Sequence, residues 1–345
     1  MLIDMHHHYI PERYLELVRQ DGKHWQAAFY HDEALGKDSV VPGMTEPPPV
    51  GDVARGVFWM EPGIHDVSTR LGEMEEMGID MAALSISPLL YYYFAAPELG
   101  EEVAQLLNDE IQAVAQAHPD RFVPMGTVPL QHVGRAIAEM ERVVREYGFT
   151  AVEIGGSVQG RHFDEPEFDA FFRRAAELDL LLFIHPGVNP MPERLQRYHT
   201  GNVIGFPTET GVCAAALIYG GVLHRYPNIK VCLAHGGGIV PGLIGRWDHG
   251  WEVRAESQRQ IDRPPSEYFK QLYFDDLTHN DAVLAALCSI ASPERVVVGT
   301  DYPYDMAERQ PVMVLDRAEA AGVLTGAERE AVSYETAARL LRIAV

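Results

Sequence analysis

The chain has little cysteine, little positive charge and no long apolar run. Three cysteines, Cys213, Cys232 and Cys288, are spread over 345 residues without paired spacing, which excludes a disulfide framework. Lysine and arginine number 28 against 50 aspartates and glutamates, giving a formal charge of −22. Such a surface repels phosphate backbones and anionic membranes, and no basic stripe relieves it. An anionic substrate therefore needs a locally positive site. The apolar runs have strand length and are too short to span a bilayer. The amino terminus has no basic segment leading into an apolar one and begins with a strand-like Leu2-Ile3, so a mature cytoplasmic enzyme is expected. No tandem repeat occurs, and low complexity is confined to Pro47, Pro48 and Pro49.

The chain is rich in core-forming residues and in histidine. At 47% hydrophobic and 23% charged it has a globular profile, and its 15 histidines stand out. Length alone leaves one or two domains open, since α/β barrels run past roughly 250 residues as one unit. Short apolar, β-branched runs decide between them. Eight recur, at 2–6, 81–87, 122–128, 150–155, 180–185, 229–235, 272–277 and 295–300. Most are apolar at nearly every position, as strands buried on both faces are. Helical patterns fill the gaps at 66–77, 98–117, 133–147, 166–178, 212–225, 281–290 and 327–343. Asp66 and Asp281 are expected N-caps, Gly78 and Gly148 expected ends, and Pro227 follows a helix. This alternation predicts one (β/α)8 barrel over 1–345, closed by a C-terminal helix. Residues 12–65, with Pro42 and the Pro47–49 run, have no strong periodicity and are expected to form an inserted lid on the catalytic face.

The polar residues that end these strands carry the chemistry. The first ends Ile3-Asp4-Met5-His6-His7-His8, and alternation on a strand turns His6 and His8 to the mouth and His7 away. The fifth ends at His185, the sixth at His235 and the eighth at Asp301, and the strand ends of a closed barrel converge. Neutral imidazoles and a carboxylate suit a divalent ion that activates water or polarises a substrate oxygen. His6, His8, His185 and Asp301 are the expected ligands, and His235 is the candidate acid or base. Each has a plainer reading: a tag remnant for the triple histidine, a satisfied strand-end histidine for His185 or His235, a turn residue for Asp301. Joint placement on four strands favours the metal site.

Asp-x-His-x-His at 4–8, Phe-Ile-His-Pro at 183–186, Ala-His-Gly-Gly-Gly at 234–238 and Gly-Thr-Asp-Tyr-Pro-Tyr at 299–304 resemble the amidohydrolase superfamily. More narrowly they resemble its branch of aminocarboxymuconate-semialdehyde and aromatic-acid decarboxylases, with supporting likeness from the second strand onward. The resemblance implies one metal, commonly zinc, on His6, His8, His185 and Asp301, with His235 acting on the metal-bound water or substrate. Imidazoles on the first strand also lean toward zinc, with manganese the alternative. The resemblance further implies that Arg246 reaches a neighbouring subunit and grips a substrate carboxylate, which makes a homodimer or higher homo-oligomer the catalytic unit. A guanidinium suits that task through two parallel hydrogen bonds.

Two positions depart from the family pattern. Its other carboxylate-binding arginine falls, by spacing, near Phe58, with Arg55 the nearest basic residue. Phe58 and Trp59 would then line the substrate pocket, or serve only as lid core. Glu153 occupies a slot that bridges a second ion in binuclear members, although nothing else points to two metals. Tyr91, Tyr92, Tyr93 and Phe94 follow the second strand as pocket wall, phenol donor or interface patch. Together these features predict a metal-dependent carboxy-lyase acting on an unsaturated or aromatic carboxylate in aromatic catabolism. His235 would move the proton and Asp301 would both ligate and relay. The alternatives are a hydrolase or hydratase acting on a carboxylated ring-cleavage product or lactone, and a non-catalytic metal-binding scaffold.

Overall fold

Eleven strands form in the computed structural model, which describes residues 1–33, 36–45 and 59–344. They are β1 (Ile3–Tyr9), β2 (Ala27–Asp32), β3 (Lys37–Pro42), β4 (Met81–Ile86), β5 (Phe122–Pro124), β6 (Gly126–Thr127), β7 (Ala151–Gly155), β8 (Leu181–His185), β9 (Lys230–Leu233), β10 (Tyr273–Asp275) and β11 (Val296–Val297). Strands β2 and β3 make an antiparallel hairpin, and the others pair in parallel in the orders β1-β4-β5 and β11-β10-β9-β8-β7-β6. Both seams between these sheets are sewn by backbone bonds. At one, β5 and β6 are halves of a strand interrupted at Met125, whose N–H donates to Leu84 O at 3.0 Å. At the other, Met5 donates to Val298 O at 2.9 Å, Asp301 to His6 O at 2.9 Å and His8 to Tyr302 O at 2.8 Å. The ring is the expected (β/α)8 barrel.

Helix ends follow capping chemistry. Helix Val67–Met77 starts at Asp66, whose carboxylate accepts the Thr69 N–H, and ends at Gly78 with φ 73°. Gly148 likewise ends a helical segment with φ 74°. Helix Asp281–Ala291 corrects an expectation: its cap is Asn280, whose Oδ1 accepts from Ala282 at 2.9 Å and Val283 at 3.2 Å. Asp281 lies in the first turn instead, where its charge favours the helix dipole. The stretch expected from 212 begins earlier, as Phe206–Tyr219 with Val222–Arg225 after it. Four helices of the described residues lie outside the expected stretches: Glu12–Asp21, Val240–Val253, Pro265–Phe269 and Pro311–Ala320. The first of them, the β2–β3 hairpin and the turn Pro62–Ile64 lie within 12–65, while Arg55 and Phe58 fall outside the described residues.

The barrel interior is apolar at its floor. Ile3, Met5, Leu181 and Phe183 pack there with Leu340 and Leu341 of the last helix, Thr336–Leu341. Each such side chain stabilises the fold by about 1.5–3 kcal/mol through burial. Among the described residues, no helix is long and apolar enough to cross a membrane.

Candidate active site at the barrel mouth

Strand β1 delivers two ligand candidates through an irregularity. Ile3 and Met5 belong to the inner core, so strict alternation would place His7 inside. The register with β4 slips between Asp4 and His7. That slip exchanges the faces, and His6 and His8 share the inner side. His7 turns away, stacked on Tyr302 at 4.5 Å between centroids, with Nδ1 2.7 Å from Asp4 Oδ2. Burial and the nearby Arg70 push its pKa down to about 4, so it is neutral.

The imidazoles of His6 and His8 present bare nitrogens to one point. His8 Nδ1 lies 2.9 Å from Ile86 O, and a carbonyl only accepts, so the ring proton is on Nδ1. His6 Nδ1 donates in the same way to Asp275 Oδ2 at 2.7 Å. The two Nε2 atoms then face each other at 2.9 Å. Asp301 Oδ1 lies 3.2 Å from the first and 3.1 Å from the second. His185 Nε2 is 3.9 Å from that oxygen, and neither nitrogen of His185 has a hydrogen-bond partner among the described residues. The four donor atoms lie within 4.8 Å of one another, all on buried residues. Lone pairs crowded together repel unless a proton or a cation sits among them. The residues present therefore fit a divalent ion.

The electrostatics agree. Burial and the surrounding imidazoles of His235, His8 and His6 hold the His185 pKa well below its usual range, leaving a neutral ring. Burial opposes charge on Asp301, yet His6, His235 and His8 outweigh it and keep the carboxyl ionised. Burial also opposes charge on His6, but Asp301 and Asp275 raise its pKa well above the ordinary value. Without a metal a proton balances the carboxylates, and a cation takes its place.

His235 sits beside this group in a different posture. It has φ 57°, a left-handed conformation uncommon for a residue with a side chain, and Asp301 has φ 61°. Its Nε2 is 3.4 Å from Asp301 Oδ2 and its ring 4.9 Å from that of His185. The His235 side chain is 16% exposed, whereas those of His6 and His8 are at 0%, so His235 is the histidine that meets the mouth.

The other candidates are placed as follows. Glu153 is buried on β7, accepts from Tyr91 OH at 2.6 Å and stands outside the four-donor group. Tyr93 OH accepts the Gly155 N–H at 3.2 Å, while Tyr92 OH donates to Trp25 O at 2.7 Å. All three tyrosines are buried within the chain, which excludes them as an exposed patch. Trp59 is half-buried and packs its ring 5.8 Å from that of Tyr30 on the hairpin. Arg246 is exposed on Val240–Val253 and makes no hydrogen bond or ion pair among the described residues.

Two residues have supporting roles that a reading of the sequence misses. Asp4 clasps β1 to the last strand end, accepting from Thr300 N at 3.1 Å and from Thr300 Oγ1 at 2.5 Å. Arg70 is fully buried and donates from Nη2 to the carbonyls of His8 and Gly63. Asp4 opens the Asp-x-His-x-His pattern, but its clasp on a strand end far along the chain leaves no local signal, and Arg70 lies mid-helix.

Comparison with known proteins agrees with this geometry. A family model described as amidohydrolase matches residues 3–343, and the chain belongs to that family. The 2-amino-3-carboxymuconate-6-semialdehyde decarboxylase of Dictyostelium discoideum is 30% identical over 318 residues, covering 91% of this chain and 85% of that protein. The solved 5-carboxyvanillate decarboxylase of Sphingomonas paucimobilis superposes with a TM-score of 0.81 at 24% identity over 99% of both chains. Its counterpart from Novosphingobium aromaticivorans, solved with manganese and 4-hydroxy-3-methoxy-5-nitrobenzoic acid, gives 0.79 at 23% identity over 99% of this chain and 96% of that one. These two likenesses show the shared barrel.

Proposed function

We propose that the protein is a metal-dependent carboxy-lyase that removes CO2 from an unsaturated or aromatic carboxylate. The observation that carries the reading is the set of mutually facing donors on His6, His8, His185 and Asp301 with His235 beside it. The kinship with decarboxylases favours the lyase over the hydrolase or hydratase.

His6, His8, His185 and Asp301 would hold the ion. When bound, it supplies Lewis-acid stabilisation of negative charge on a substrate oxygen. His235, open to the mouth, delivers a proton to the carbon that bears the carboxylate. The carbon–carbon bond then breaks, its electron pair returns to the unsaturated system, and CO2 leaves. Asp301 Oδ2, facing His235 Nε2, orients that imidazole and relays its proton. Arg246, unpaired among the described residues, grips the substrate carboxylate of a partner subunit in a homodimer or higher homo-oligomer. Residues 12–65 act as the lid of a single barrel domain, with Phe58 and Trp59 lining the pocket. The reaction belongs to cytoplasmic breakdown of aromatic compounds.

Imidazole ligands suit zinc, and the Novosphingobium structure contains manganese, so the ion is to be identified by elemental analysis and by reconstitution with each metal. The test of function is CO2 release from 2-amino-3-carboxymuconate-6-semialdehyde, 5-carboxyvanillate and hydroxybenzoates. Water addition or ring opening without CO2 would overturn the lyase reading.

A further inference from the structure

Asp275 ends β10, and the mechanism above gives it no role. Its fully buried carboxylate meets four N–H donors. Oδ2 accepts from His6 Nδ1 at 2.7 Å and from the backbone N–H of His235 at 2.9 Å. Oδ1 accepts from the backbone N–H of Gly236 at 2.7 Å and of Leu277 at 3.3 Å. One carboxylate thus joins a ligand candidate on β1 to the left-handed turn that presents His235. The close approach depends on residue 299 having no side chain, because a Cβ on Gly299 would lie 2.6 Å from Asp275 Cβ and 2.9 Å from His6 Cβ. The neighbouring Asp276 is also buried but touches neither histidine; it accepts from Gly299 N at 3.0 Å.

We infer that Asp275 is a positioning residue that sets two functional groups at once. It keeps the His6 proton on Nδ1, which frees Nε2 for a divalent cation, and it fastens the turn that aims His235 at the mouth. The inference rests on the metal-dependent reading above and adds to it a residue that links metal affinity to proton delivery.

The conservative variant Asp275→Asn separates this role from a structural one. A carboxylate accepts on both oxygens, whereas an amide accepts on one and donates from the other end. Of the four donors, only the His6 imidazole can change into an acceptor. The amide oxygen therefore turns to Gly236 and Leu277, and its NH2 turns to His6. The ring must then accept at Nδ1 and carry its proton on Nε2, where the cation should bind. The His235 N–H loses its acceptor in the same rearrangement.

The experiment measures Zn2+ and Mn2+ affinity of the apo protein by competition with a chromophoric chelator, and the His6 tautomer by imidazole 15N chemical shifts. Asp275→Asn is expected to bind the cation about 10–100-fold more weakly. Its His6 proton should appear on Nε2, and at saturating metal kcat should fall while KM changes little. Asp276→Asn, the neighbouring control, should keep the parent's metal affinity. If Asp275→Asn does not fold, Gly299→Ala provides the second test: it forces the Asp275–His6 pair apart without altering a donor and should also weaken metal binding. An Asp275→Asn protein with the parent's affinity and the proton still on Nδ1 would overturn the inference, as would a loss of stability alone. A parent that binds neither cation overturns the metal-dependent reading together with it.

Discussion

At the floor of the barrel Leu340 and Leu341 pack with Ile3, Met5 and Leu181, carbon against carbon. At the mouth, His185 Nδ1, His185 Nε2 and Asp301 Oδ1 are buried without a hydrogen-bond partner among the described residues. The same strands supply both ends, since β8 runs from Leu181 to His185. The floor stabilises the chain by removing apolar surface from water, whereas the mouth holds polar atoms in a low-dielectric site at a cost to stability. Stability and function are therefore divided along the barrel axis, and substitutions at the two ends should fail in different ways.

The largest effect is expected at the mouth. His235→Ala should lower kcat by about 10²–10⁴-fold, in line with loss of a proton-transferring side chain, and leave the melting temperature unchanged or raised. A parallel fall in melting temperature would break the division. At the floor, Leu340→Ala should reduce the free energy of unfolding by about 2–5 kcal/mol. Denaturant titration measures this, and kcat per folded molecule should be retained. Stripping the metal with a chelator joins the two ends: activity should vanish and return on re-addition. Metal at about 100 times its Kd should raise the unfolding free energy by about 2.7 kcal/mol.

Smaller effects sharpen the comparison. Arg246→Gln should raise KM for a carboxylate substrate by about 10–100-fold, as expected from about 1.5–3 kcal/mol for hydrogen bonds to a charged group. Mixing this variant with an active-site variant should restore turnover if the arginine crosses between subunits. Asp66→Ala, at the exposed start of helix Val67–Met77, should cost about 1 kcal/mol through loss of the helix cap. The Thr69 N–H holds the Asp66 carboxyl below its usual range. That contribution is therefore complete above the ordinary carboxylate pKa, shrinks as pH falls toward the lowered value and is absent beneath it. A thermal melt series from neutral to acid measures the decline.

The barrel was legible because strands buried on both faces read as uninterrupted apolar runs, and the candidate site because polar residues end those runs. His185 after Leu181-Leu182-Phe183-Ile184 is the plainest instance. Asp275 carries the same mark after Tyr273-Phe274, but a carboxylate that orients a ligand and one that is a ligand look alike in sequence. Helix Glu12–Asp21 was missed although Pro11 before it and Glu12 in its first turn are start signals, because no side chain among the described residues caps it. Asn280 and Asp281 are both capping residue types, so only the backbone decides between them. The slip in β1 left no trace at all. Alternation gave His6 and His8 a common face, as observed, but not the exchange of faces relative to Ile3 and Met5.

The clasp of Asp4 on Thr300 spans a sequence separation of 296 residues, and that of His6 on Asp275 spans 269. Contacts so distant in the chain form late in folding, after shorter loops have closed. During synthesis His6 and His8 therefore emerge roughly 300 residues before Asp301 does. A nascent chain that lacks Asp301 cannot bring together the four donors proposed for the ion. Acquisition of the ion would then report that the first and last strands have met, and a truncated or stalled chain would stay unloaded.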